Sequence, residues 1–510
     1  MSAAGPNSNA IPRLDIPVAA IARHPETITK PRELKAWLAQ LPSADPQHLA
    51  DSLLRQLQLL VRDPETEPRY ADLLDLYHPS LQTLQATVWD QLTLAHGQTK
   101  NSRRLQSSVL QLVLEIAYAH MRLINGYISA GDPPAATQVY HAILPLCRLL
   151  HWDLLQYNLI RPSIWRQTLQ VFAIGQLYRV NDGRQPSQLS LEKDATTSHG
   201  VFFSTLVLLL CDPYRLPRQN ITRLIASLGD LAEHLSISSS SEAGYRIALD
   251  QGARVPPLRR ARQELAPRPG TRYLQLDDFL EQLKHRGLPG DNGVLAGWLS
   301  ASLCGLADKA QGREARRHPR QKREADYHFV HGMQGVHKRL SALRSGEARH
   351  TGPDPGSEIV LGGQPLSTVE PGTPCRQIDQ SRSGASFMLS EKTALPPVGC
   401  WVLFEADTRD RGRGFVAQVR RCLNLDTRGH EIGVEKLPGR VIPVTFGLEK
   451  QVGLLCLDRE EKQLQLIAPG GSFRESGQRL TLQASGRQYP VVLEALQERN
   501  AGERIRVSLA

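Results

Sequence analysis

The feature that most limits what this chain can fold into is a change in the period of its apolar residues part-way along. From Pro31 to about Leu235 they recur every three or four positions. Leu53, Leu54, Leu57, Leu60 and Val61 form one such run, and Val109, Leu110, Val113 and Ile116 another. That spacing lines one face of a helix. Beyond about residue 305 it gives way to short runs rich in β-branched residues: Trp401 to Phe404, Phe415 to Val419, Glu431 to Val434, Val441 to Thr445, Leu464 to Ile467, Leu480 to Leu482 and Val491 to Leu493. Gly, Asp, Asn and Pro separate them, the punctuation of an all-β segment of barrel type. The two periods predict a multidomain α + β protein: an N-terminal all-α helical array or bundle, a C-terminal β-barrel, and a second small β segment after it.

Breaks in composition divide the chain further. Residues 1–30 are small, polar and proline-containing, which predicts a flexible arm. Residues 31–304 form a mainly helical, partner-binding domain, its helices punctuated by prolines at positions 79, 133, 134, 145, 162 and 186. Ala117 to Leu150 invites a tetratricopeptide reading, but no self-similarity at a fixed period accompanies it, so a non-repeating bundle is expected. Leu235 to Gly244 is serine-rich and predicts a hinge, GYRIALDQGARVPPL a short hairpin, and Gln275 to Leu299 a return to helix. Residues 305–447 make the barrel with its leading arginine segment, Ser341 to Thr373 being a long loop inside it. Residues 448–510 make the small β domain.

Several function classes are excluded. The longest strongly apolar run, Val201 to Cys211, is short of the roughly 20 residues of a membrane-spanning helix and ends at Asp212-Pro213. The N-terminus lacks the basic and apolar regions of a secretory signal, so a cytoplasmic location is expected. Seven widely spaced cysteines without a C-x-x-C pair point to reduced core thiols. A phosphate loop and a nucleophile elbow are both missing, so no enzyme is expected. Glu494-Ala495-Leu496 is only a strand or helix segment. His328, His331 and His337 are close in sequence, but strand alternation separates them, and neither metal nor cofactor is expected. A net charge of +10 calls for an anionic partner, while 5% aromatic residues argue against a nucleic-acid platform.

Two short segments carry the chemistry. At the entry to the β region stands GREARRHPRQKREADYHFV, which supplies Arg316-Arg317-His318-Pro319-Arg320. Further on, RQIDQSRSGASFML supplies Asp379-Gln380-Ser381-Arg382-Ser383-Gly384. On their own these could be a solvated basic linker and an Asx-type turn. In this order, with the arginines leading into a strand and the second motif set between two strands, they resemble the PilZ domain. That is a small bacterial β-barrel that binds cyclic di-GMP through R-x-x-x-R and D/N-x-S-x-x-G. WVLFEADTRDRGRGFVAQVRRCLNLDTRGHEIGVEKL resembles its remaining strands.

The resemblance covers about residues 310–447. It implies Arg316, Arg320, Asp379, Ser381 and Gly384 as ligand residues, with Arg317 in a secondary place. Arginine forks suit phosphate oxygens and guanine O6/N7, a carboxylate accepts from guanine N1–H and N2–H, and glycine permits close backbone approach or a positive φ. The implied protein is an effector or adaptor that couples cyclic di-GMP, as ligand, to a protein partner held by the helical domain. The alternative is a structural or adaptor protein with a degenerate barrel.

Overall fold

The computed structural model describes residues 13–64, 70–93, 100–184, 197–238, 245–248, 259–260, 271–289, 291, 293–310, 319–346, 359–360, 372–406, 413–425, 428–447, 449–458, 463–469, 472, 476–498 and 503–509. They fall into two compact units, Met1–Pro213 with Arg218–Ala315, and Tyr214–Pro217 with Arg316–Ala510.

Among the described residues the first unit begins with eight helices: α1 (Pro31–Leu38), α2 (Pro46–Val61), α3 (Tyr70–Thr93), α4 (Lys100–Ala130), α5 (Ala136–Leu155), α6 (Pro162–Leu177), α7 (Ser198–Leu210) and α8 (Arg218–Ala232). Their starts are written locally. Asp45 caps α2 by accepting from the Gln47 and His48 amides, with Pro46 in the first turn. Thr197 caps α7 by accepting from Gly200 N. Leu53, Leu57, Leu60 and Val61 of α2 are buried, as are Val109, Val113 and Ile116 of α4. At the centre lies α5, buried along its whole length after the first two residues and packed by α3, α4, α6, α7 and α8. Helix lengths from 8 to 31 residues rule out a uniform repeat.

Three local expectations are corrected here. Pro79 and Pro145 lie inside α3 and α5 rather than between helices. Each removes one backbone donor, a loss offset by the burial of the surrounding helix. Residues 13–30 form no helix or strand, yet they are tied down: Leu14 is buried and exchanges two hydrogen bonds with the Asn125 side chain, and Arg23 pairs with Asp63 at 2.8 Å. The serine-rich hinge begins as a strand, β1 (Ser236–Ser238). With β2 (Tyr245–Ala248), β3 (Arg259–Arg260) and β4 (Thr271–Gln275) it makes a small antiparallel sheet of order β1-β4-β2-β3. Two helices follow, α9 (Asp277–Arg286) and α10 (Val294–Ala310).

The second unit holds two closed six-stranded antiparallel barrels. The first contains β5 (Gln321–His331), β7 (Thr373–Gln380), β8 (Gly384–Leu389), β9 (Trp401–Ala406), β10 (Arg413–Asn424) and β11 (His430–Lys436). Its order is β11-β8-β7-β5-β9-β10, closed by the β10–β11 pairing, with the short β6 (Ile359–Val360) added beside β10. Tyr327, Phe329, Phe387, Phe404 and Phe415 form an aromatic cluster, Phe387 and Phe404 stacking at 3.9 Å between centroids.

The second barrel is β12 (Arg440–Phe446), β13 (Gln451–Asp458), β14 (Gln463–Ala468), β17 (Glu503–Leu509), β16 (Arg487–Glu498) and β15 (Arg479–Ala484), in that order. The strand at 440–446 therefore pairs with the second barrel, not the first. Gly439, at φ +78°, makes the tight turn before it, where a Cβ would stand 2.0 Å from the Leu457 carbonyl oxygen.

Between the barrels lies a helix that the sequence reading missed, α11 (Met333–Gly346), which takes up the start of the expected 341–373 loop. Met333, Val336, Leu340 and Leu343 form its apolar stripe. It packs into one cluster with Trp401, Leu403 and Val416 of the first barrel and Val441, Leu454, Cys456 and Ile467 of the second. Trp401 to Phe404 are all buried, as are Gly453 to Cys456, because one face of each strand points into its barrel and the other onto this cluster. Arg339 clamps the helix to β9 through two parallel 2.8 Å bonds to the Glu405 carboxylate.

Candidate ligand-binding site

Two chain segments far apart in sequence meet where β5 begins, β7 ends and β8 starts. Lys322 is opposite Asp379, and Asp379 is opposite Ser386, so Arg320, the residue just before β5, arrives beside all three strands. Its Nη1 donates to Asp379 Oδ2 at 2.9 Å and to Ser386 Oγ at 3.0 Å. Three residues on, Arg323 Nη1 donates to Gln380 Oε1 at 3.1 Å. Both ladders are irregular here, between Lys322 and Ala325 on one side and between Gln377 and Asp379 on the other. Such bulges re-aim side chains at a barrel rim.

The Arg320–Asp379 pair is partly exposed, the two side chains retaining 43% and 23% of their accessible surface. It is therefore a weak contributor to stability and an exchangeable one. Its two bonds use one nitrogen of the guanidinium, which carries five N–H donors in all. On the other partner, Asp379 Oδ1 is buried and has no hydrogen-bond partner among the described residues. A buried carboxylate oxygen left in this way is an acceptor waiting for a donor.

Ser381 and Gly384 close the turn between β7 and β8. The Ser381 amide donates to the Gly384 carbonyl at 2.7 Å, and the Gly384 amide donates to Ser381 Oγ at 3.1 Å. Gly384 has no positive φ. Close approach is what requires it, since a Cβ at this position would stand 2.6 Å from the Val434 carbonyl oxygen of β11. The hydroxyl of Ser381 is thus engaged in the turn both ways, accepting from the Gly384 amide and donating to the Gly384 carbonyl at 3.3 Å, and its second lone pair stays at the same end of the hairpin.

The structure brings together Arg320, Asp379, Ser381 and Gly384. Arg316 and Arg317 lie outside the described residues. Two participants were not anticipated: Ser386, which shares Arg320 with Asp379, and Gln377, fully buried beside it with Nε2 3.2 Å from Gln380 Oε1. For Ser386 the signal was a polar residue in an otherwise apolar strand, GASFML, at a position where burial requires a partner, whereas Gln377 sits in the mixed strand TPCRQIDQ and gave no such signal.

Comparison with known families adds evidence from the other unit. Residues 32–242 match the model of a family described as "Cyclic-di-GMP receptor FimW, N-terminal domain". The FimW match spans α2 to α8, nearly all of α1, and β1. It lies on the helical part of the chain, and the motif-bearing barrel lies outside it. No curated protein and no solved structure gives a significant match to the chain. Among the described residues no helix is long and apolar enough to cross a membrane.

Proposed function

We propose that this protein is a cytoplasmic cyclic di-GMP-binding effector, in which a PilZ-like barrel holds the second messenger and the helical domain engages a protein partner. The observation that carries this reading is the match of residues 32–242 to the N-terminal domain of a cyclic-di-GMP receptor. The motif residues, which lie outside that match, are an independent support. Arg320, with Arg316 and Arg317 ahead of it, supplies cationic forks for the two phosphodiesters or for guanine O6/N7. Asp379 Oδ1 accepts from guanine N1–H and N2–H, Ser381 bonds a phosphate or base edge, and Gly384 holds the hairpin against β11 so that these groups face one place. The reading makes the protein a binding module rather than an enzyme, with cyclic di-GMP as ligand and no cofactor.

Binding works by exchange. In the ligand-free arrangement Arg320 is held by Asp379 and Ser386, so its position is set in advance and little side-chain order remains to be lost. An incoming dinucleotide offers Asp379 a neutral N–H donor pair and offers Arg320 an anion, replacing one exposed ion pair by several charge-assisted bonds. Binding is passed to the helical domain if the ligand prefers one of the arrangements open to the full chain.

Calorimetric titration of the full chain with cyclic di-GMP and cyclic di-AMP tests this. Wild type should bind the guanine dinucleotide in clear preference, and Arg320→Ala and Arg316→Ala should each weaken it at least about tenfold, near 1.4 kcal/mol. Asp379→Ala should weaken it and narrow the preference over adenine, while Arg286→Ala, a basic residue of the helical unit, should change nothing. A wild type that binds neither dinucleotide overturns the proposal, and one indifferent to the base removes Asp379 from it.

A further inference from the structure

Three helices of the first unit each turn a histidine toward the same interior point. His78 of α3, His120 of α4 and His141 of α5 are all buried, and their donor nitrogens lie within 4.8 Å of one another. Ring centroids are 5.0 Å apart for His78 and His141, 5.1 Å for His120 and His141, and 6.2 Å for His78 and His120. The residues are 42 and 21 positions apart in the chain, so no sequence spacing announces them.

Their surroundings set the chemistry. His120 Nδ1 lies 2.7 Å from Gln138 Oε1, an oxygen that can only accept, so that ring carries its proton on Nδ1 and keeps a bare lone pair on Nε2. That Nε2 is buried and has no hydrogen-bond partner among the described residues, and the same holds for His141 Nδ1. Asp75, one turn before His78, places Oδ1 3.8 Å from His78 Nδ1. A carboxylate or amide oxygen behind a histidine is the arrangement that fixes imidazole orientation at metal centres. Neutral imidazole is the form that ligates. Without an ion, these inward-facing nitrogens would be a standing cost to the fold.

We propose that His78, His120 and His141 form a binding site for one divalent transition-metal ion of the zinc class. Imidazole ligands without thiolate suit zinc, copper, nickel or iron and discriminate against magnesium and calcium. Zinc holds imidazole nitrogens at about 2.0–2.1 Å in a tetrahedron, so the three donors draw together slightly by ring rotation and leave a fourth position for water. Bound there, the ion ties α3, α4 and α5 together around the core helix of the unit. This site is independent of cyclic di-GMP and goes beyond the function proposed above.

The test uses the untagged full chain, stripped with chelator and then titrated with zinc sulfate, with magnesium and calcium chloride as parallel arms. The expected result is close to one zinc per chain that survives desalting, a raised melting temperature with zinc alone, and a cobalt-substituted form whose X-ray absorption shows three imidazole nitrogens. His120→Gln and His141→Gln, checked for helical circular dichroism, should lose the retained zinc, while His285→Gln on the exposed face of α9 should keep it. Wild type that retains no zinc overturns the proposal without reference to any variant. Retention unchanged in both folded variants, or equal stabilisation by magnesium, overturns it as well.

Discussion

Gly384 is required by the fold whatever it does for a ligand. A methyl group there meets a backbone carbonyl that a strand pairing holds in place, so Gly384→Ala should lower the stability of the barrel unit by about 1–3 kcal/mol before any ligand is added. Denaturant unfolding of the apo protein checks this, and an unchanged midpoint would show that β8 and β11 can separate at little cost. A second single-residue effect sits in the core helix. His151 is buried, its Nε2 3.0 Å from Thr205 Oγ1, and desolvation with the nearby Arg148 charge pushes it down to about 3. The unfolded chain therefore takes up the proton first. Its contribution is complete above the ordinary histidine value near 6.5 and is lost as pH falls from there toward about 3. His151→Gln should flatten that part of the acid limb of helical-unit stability, measured by denaturant midpoints at neutral and acidic pH, and parallel curves for the two proteins would exclude it.

At the scale of elements, α11 is the piece on which the second unit depends. Leu340 is buried where both barrels meet the helix, and Leu340→Ala should cost about 2–5 kcal/mol. Removing the Arg339 clamp leaves Glu405 half-buried without its fork, and Arg339→Ala should cost about 1.5–3 kcal/mol. Thermal unfolding of each variant reads both. That this helix escaped the sequence reading has a physical cause. Its stripe of Met333, Val336, Leu340 and Leu343 has helical spacing, but it follows a strand and precedes a stretch of Gly, Pro and Ser, and that context spoke for a loop. The strands at 401–406, 413–424 and 430–436 were legible because each has a run of β-branched or aromatic residues between turn formers. β13 and β17 were less so, since QVGLLCLD is leucine-rich and ERIRVSL alternates with charge. Of the candidate site, Arg320 and Asp379 could be read from motif order, whereas Ser386 and the histidine trio depend on strand register and helix packing that no local pattern encodes.

At the scale of the molecule, the two barrels share one apolar cluster through α11, so each lacks a face without the other. A chain ended at Pro438 would expose Trp401, Leu403, Val416, Val336 and Leu340 together, a patch that a small barrel cannot leave in water. Such a truncation should be insoluble or lose fixed tertiary structure, judged by near-ultraviolet circular dichroism and dye binding. In the intact protein the barrel unit should melt in one transition, followed by strand-sensitive infrared absorption. A separate melting of the second barrel would mean that the shared cluster is not cooperative.

The strand order of the first barrel also has a consequence in time. β5 is the first of its six strands to be synthesised, yet it lies between β7 and β9, which pair its first residue, Gln321, with Gln380 and its last, His331, with Val402. At roughly 5–20 residues added per second, β5 waits several seconds with both edges bare before either neighbour leaves the ribosome. Throughout that interval its aromatic residues and open backbone are available to any other chain, and loop closure makes the eventual pairing slow as well. Whatever occupies those edges first therefore bears on how much of the chain reaches this fold.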